Sequence, residues 1–95
     1  MTRIVWTEPA VSDLDSIHAY ISRDTDVYAA AVISEIFDCV DRLAHFPQSG
    51  RVVPEMDDAC TREVIVGNYR VIYDTTGEAV RILSVIHGAR QFPKP

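Results

Sequence analysis

Two stripes of apolar side chains, each stepping by three and four residues, constrain this chain more than any other feature. Ala10, Leu14, Ile17 and Ile21 make the first. Ala29, Ile33, Ile36, Val40 and Leu43 make the second, with Phe37 and Ala44 widening its face. That spacing returns a side chain to the same side of an α-helix at each turn, so each stretch predicts an amphipathic helix with one buried face. Thr7 suits the N-cap of the first helix, and Glu8 and Pro9 suit its opening turn. Asp13, Asp15 and His18 fall off the stripe, toward water, while Tyr20 borders the packed face. The segment SRDTD breaks the pattern and caps a second helix beginning near Val27, which Pro47 and Gly50 bring to an end. Helices joined by so short a link pack as an antiparallel hairpin.

The rest of the chain alternates instead. Thr2 to Trp6 is β-branched and aromatic and reads as a strand, with Trp6 at or near the core. RVVPEMDDA, from Arg51, has a proline, several acids and no period, and reads as a loop; its PEMDD stretch is expected to be a solvated turn, the alternative being an acidic loop that faces a target. Arg62–Val66 and Tyr69–Asp74 read as strands around Gly67-Asn68, a dipeptide suited to the positive φ of a tight hairpin. A turn at TTG and a last strand, Ala79–His87, follow, with RQFPKP as a short tail. The order β-α-α-β-β-β makes residues 1–95 one α+β domain, a helical hairpin packed on a small antiparallel sheet.

Strand alternation then predicts where side chains point. Val80, Ile82, Ser84 and Ile86 share one face of the last strand, and Arg81, Leu83, Val85 and His87 the other. Tyr69, Val71 and Tyr73 oppose Arg70, Ile72 and Asp74 on the strand before it. One face covers the helices. The other is an apolar surface studded with arginine, which needs a partner to stay soluble.

Charge narrows the partner. Residues 1–46 carry eight acids against three bases, and residues 47–95 six of each, so the net charge of −5 comes from the helical half. Phosphate binding draws most of its affinity from a basic excess, so general RNA or DNA binding is disfavoured. Cys39 reads as a small core residue, and no Cys/His cluster has metal-ligand spacing. No metal and no cofactor is expected. Nor does any apolar run or leader-like start suggest membrane insertion or export, so a reducing cytoplasm is the expected compartment.

Four motifs occur in order: W-T-x-x-A-x-x-D-L-x-x-I-x-x-Y-I from Trp6, L-x-x-F-P-x-x-G-R from Leu43, R-E-V-I-V-G-N-Y-R-V-I-Y from Arg62, and V-x-I-L-x-V-x-H-G-A-R from Val80. Together they resemble the RelE/ParE superfamily of type II toxin–antitoxin systems, the ParE branch most closely. The resemblance implies a cognate antitoxin, ParD-like or similar, forming a hetero-oligomer with the toxin. The antitoxin's other end binds operator DNA, so this chain would meet DNA only indirectly. ParE-like toxins poison DNA gyrase, whereas RelE-like toxins cleave messenger RNA on the ribosome. A third reading is a non-toxic relic, active only in antitoxin binding and operon repression.

RNA cleavage by the 2′-hydroxyl needs a base, an acid and cations on the transition state. The lysines and tail tyrosine that RelE-type toxins use have no counterpart in EVIV and QFPKP, and Gly88 stands about where they carry a second arginine. A gyrase inhibitor acting by binding, with no catalytic residue, is therefore the preferred reading. Arg70, His87 and Arg90 are the catalytic candidates of the ribonuclease alternative. The candidate contacts to antitoxin or target are Arg51, Arg62, Arg70, Arg81, His87 and Arg90. Four of them have a plainer alternative. Arg70 pairs with Asp74 on its own strand face, Arg62 is solvated, Arg51 is a loop charge or, by resemblance, a loop anchor, and His87 is a hydrogen-bonded structural histidine. The antitoxin is expected over the apolar strand face and the groove beside the helices, with Arg81 gripping an acidic segment of it.

Overall fold

Both apolar stripes become helices in the computed structural model, which describes residues 2–75 and 77–88. α1 (Glu8–Ser22) buries Ala10, Leu14, Ile17 and Ile21, the expected set. In α2 (Asp26–Leu43), Thr25 is the N-cap and its side chain accepts from the Tyr28 amide. This helix buries Ala29, Val32, Ile36, Val40 and Leu43. Val32 thus takes the place expected for Ile33, which is only partly buried, and Phe37 is exposed. The face that meets the sheet is rotated toward Val32, leaving Ile33 and Phe37 beside Trp6 at the edge of the core. There the rings of Trp6 and Phe37 meet edge to face at 5.2 Å.

Five strands form the sheet: β1 (Arg3–Trp6), β2 (Arg51–Val52), β3 (Thr61–Val66), β4 (Tyr69–Asp74) and β5 (Ala79–His87). Their spatial order is β1-β5-β4-β3-β2. The last four run antiparallel, but β1 lies parallel to β5, pairing Arg3 with Ala79 and Trp6 with Ile82. A parallel neighbour needs a long connection, and the helices and the other strands supply one. β2 stands where a loop was expected. Two residues are too few to show an alternation, and only pairing with Glu63 and Arg62 reveals it. Gly67 has φ +57°, as the tight β3–β4 turn requires.

One irregularity reorients the site. Tyr73 pairs with Ile82 but Ile72 pairs with Ser84, so Leu83 is an extra residue in β5. A β-bulge of this kind reverses the alternation beyond it. Val80 and Ile82 face the helices before the bulge, and Val85 and His87, opposite Val71 and Tyr69, face them after it. Arg81 and His87, expected on one face, therefore lie on opposite faces.

Candidate functional site

The face of the sheet turned away from the helices is not an open apolar surface. Ion pairs cross it, and of its apolar side chains Ile65 stays 55% exposed. Arg70 is 5% exposed, and the buried Glu63 and the pleat place it diagonally across the β3–β4 ladder. Arg70 Nε donates to Glu63 Oε1 at 2.7 Å, while its two terminal nitrogens each donate to one oxygen of Glu55 at 2.8 Å. Glu55 belongs to the stretch expected to be a solvated turn. Its bidentate hold on Arg70 instead draws the 53–60 segment against the sheet, with Val53 fully buried. The hydrogen bonds that Arg70 donates to Glu55, ahead of those to Glu63, raise its guanidinium above its ordinary range, and burial only partly opposes them. Arg70 does not pair with Asp74, as its strand-face position suggested.

The other arginines are committed in the same way. Arg51, whose side chain is largely exposed, donates from Nε to Glu63 Oε2. Arg81 meets Asp74 through two contacts, at 3.1 and 2.6 Å, and this pairing raises the Arg81 guanidinium. Arg62, expected to be solvated, is half-buried on the helix side and donates to the Gly50 carbonyl at 2.8 Å. Its neighbourhood is packed tightly. Gly50 N–H donates to Tyr73 Oη, and that hydroxyl donates to the Pro47 carbonyl, both at 2.9 Å. A Cβ on Gly50 would stand 2.5 Å from the Glu63 carbonyl and 2.6 Å from Tyr73 Oη, so only glycine fits. Burial pushes the Tyr73 phenol up. Arg90 lies outside the described residues.

On the helix side, Asp13 is the residue that sequence reasoning misplaced. It is half-buried, and its Oδ2 accepts from Ser84 Oγ at 2.8 Å and from the Val85 amide at 2.9 Å. β1 stops at Trp6, so α1 provides the acceptor that a longer strand would have provided to β5.

Past Asp13, α1 and the ends of β4 and β5 leave a cleft of about 480 Å³ walled by Asp13, Tyr20, Tyr69 and His87 among others. A second hollow of about 360 Å³ shares Tyr20, Tyr69 and His87 and adds Asp24 and Tyr28. His87 meets Tyr69 edge to face at 5.8 Å. Burial, and secondarily Tyr28 and Tyr20, push the Tyr69 phenol up. A third, mostly apolar groove of about 430 Å³ runs past Trp6, Val11, Leu14, Ile33 and Phe37.

The predicted site residues therefore do not converge. Arg51 and Arg70 share Glu63, Arg81 is bound to Asp74 on the same face, and Arg62 and His87 lie on the other face. Glu55, Glu63, Asp13 and Tyr69 went unnoticed as site residues. For Glu63 a signal existed, because a two-residue turn after Val66 sets it diagonal to Arg70. For Glu55 and Asp13 nothing local points to the partner.

Comparison with known proteins follows the same outline. Residues 4–92 match the family model described as the ParE toxin of the type II toxin-antitoxin system parDE. Y4kP of Sinorhizobium fredii, provisionally named a toxin, is 39% identical over 94 residues, covering 97% of this chain and 94% of that protein. Toxin RelE2 of Caulobacter vibrioides is 32% identical over 91 residues, covering 95% and 99%. The solved structure of a chromosomal ParDE system from P. aeruginosa superposes with a TM-score of 0.75 at 21% identity, covering 92% of this chain and 96% of that one, and so shares the fold.

Proposed function

The chain belongs to the ParE toxin family of type II toxin–antitoxin systems, and on that premise we propose that a cognate antitoxin neutralises it and that the free toxin inhibits DNA gyrase by binding. The observation that carries this reading is the separation of Arg70 from His87. Arg70 pairs across the ladder with Ile86, and Tyr69 with His87, so the guanidinium and the imidazole project from opposite faces of the sheet. A phosphate in flight needs its cation and its acid or base within hydrogen-bond reach of one point. Arg70 also spends its nitrogens on Glu55 and Glu63. The net charge of −5 adds no general pull on RNA.

Antitoxin binding, in this reading, uses the apolar groove at Trp6, Val11 and Phe37, whose lining would otherwise stay in water. The antitoxin's other end carries the complex to operator DNA. No described helix is long and apolar enough to cross a membrane, which fits action on a cytoplasmic target. A relative named RelE2 at 32% identity keeps ribosome-dependent messenger cleavage as the second reading. The test is a supercoiling assay with purified gyrase, run beside cleavage of messenger on programmed ribosomes. Lost supercoiling with intact messenger is the expected result. Cut messenger with normal supercoiling would replace the proposal with the ribonuclease, and silence in both assays would leave a relic that only binds antitoxin.

A further inference from the structure

Three of the chain's four tyrosines, Tyr20, Tyr28 and Tyr69, gather at one end of the molecule, where the turn between α1 and α2 meets the tips of β4 and β5. Tyr20 is 69% exposed and Tyr28 55%, so neither ring serves the core. Tyr69 and His87 line both of the hollows described above. Among the described residues the walls hold two carboxylates, Asp13 and Asp24, and neither lysine nor arginine. The elements around it deepen that polarity: residues 8–43 contain eight acids and two arginines.

We infer that this tyrosine cleft receives the guanidinium of an arginine presented by a protein partner. Ring faces attract cations through their quadrupole, and a planar guanidinium stacks on them as an ammonium cannot. Tyrosine also offers large contact area with few rotatable bonds to freeze. Asp13 commits Oδ2 to β5, which fixes the carboxylate in the wall, and Asp24 stands exposed at the mouth. An anionic side chain would find two carboxylates here and, among the described residues, neither lysine nor arginine. The polarity is thus the reverse of that expected from the arginines, of which Arg51, Arg70 and Arg81 are already paired with carboxylates within the chain. This inference goes beyond the toxin reading and holds whether the arginine comes from antitoxin or from target.

The test is an amide NMR titration of the whole chain with Nα-acetyl-arginine amide, beside the citrulline and lysine analogues. Saturable shifts confined to Asn68, Tyr69, His87 and the Tyr20–Tyr28 turn are expected with arginine, weaker ones with lysine, and none with citrulline, which has the same shape without charge. The variant Tyr20→Leu/Tyr28→Leu keeps apolar bulk at two exposed positions while removing both rings. It is expected to bind arginine about tenfold more weakly, the loss that two exposed cation–π contacts would produce. Equal shifts from citrulline, an equal response to lysine, or arginine shifts scattered away from the cleft would each overturn the inference. The probe reports on the cleft alone, so its failure would leave the gyrase result untouched.

Discussion

Arg70 shows how a residue that looks functional in sequence becomes structural in the fold. Its side chain is 6% exposed, and that of Glu63 is fully buried. Removing one member of such a pair strands a charge out of water. Arg70→Met is therefore expected to cost about 3–5 kcal/mol in urea denaturation. Replacing Arg70, Glu55 and Glu63 together by apolar residues of similar size is expected to cost far less, because no buried charge is left alone: Arg51, which loses Glu63, has a side chain 64% exposed to water. Equal losses in the single and triple variants would refute the desolvation argument. Tyr73 offers a second test, through pH. Burial raises its phenol above the ordinary value of 10.0, so the folded chain holds the proton more tightly than the unfolded one. That contribution is complete below about pH 10 and is lost as pH climbs through the higher folded value. Tyr73→Phe should flatten the alkaline limb of the stability curve, though not abolish it, since Tyr69 is shifted in the same direction. It should also lower stability by about 1–3 kcal/mol at neutral pH, by leaving the Gly50 amide without its acceptor. Glu63 and Arg70 were legible together from the hairpin turn. Glu55 was not, because its segment has no period to fix where it lands.

At the scale of elements, the helices were the most legible part and the last strand the least. A helical stripe survives small rotations, which is why Val32 replaces Ile33 and only Phe37 besides leaves the expected face. A strand's two faces depend on every residue being counted, so the single extra Leu83 sends Val85 and His87 to the helix side. The same stretch depends on α1 for a hydrogen-bond partner. Asp13→Ala is expected to free the Val85 amide, raising its hydrogen-exchange rate at least about tenfold, with a stability loss of about 1–3 kcal/mol. Asp13→Asn keeps one acceptor oxygen and should fall between the two. Unchanged exchange at Val85 in both variants would show that α1 is held to β5 by apolar packing alone.

For the molecule as a whole, charge decides more than motif. Arg51, Arg70 and Arg81 are matched by Glu55, Glu63 and Asp74, while most acids of the helical hairpin stand in water. The exterior is acidic beyond what the net charge of −5 conveys. Fluorescence anisotropy with a short duplex DNA or a single-stranded RNA at physiological salt should accordingly give binding weaker than about 10⁻⁴ M, the weak end of ordinary non-specific affinity. Micromolar binding with a steep salt dependence would revive a nucleic-acid role. Fold class and family, by contrast, are carried by motif order and apolar period, which belong to the linear chain.

Two helices, a hairpin at Gly67-Asn68 and the membership of one toxin family all follow from residues a few positions apart, where local geometry leaves few choices. What the tertiary structure alone decided is which charges are still free to meet a partner. Arg70 and Glu55 stand fifteen residues apart, and Asp13 and Val85 seventy-two. Pairs that distant meet only when a loop closes over a sheet or a helix ends beside an unfinished strand. Their cancellation removes the arginine surface the sequence seemed to promise. It leaves three tyrosines and an acidic rim in its place.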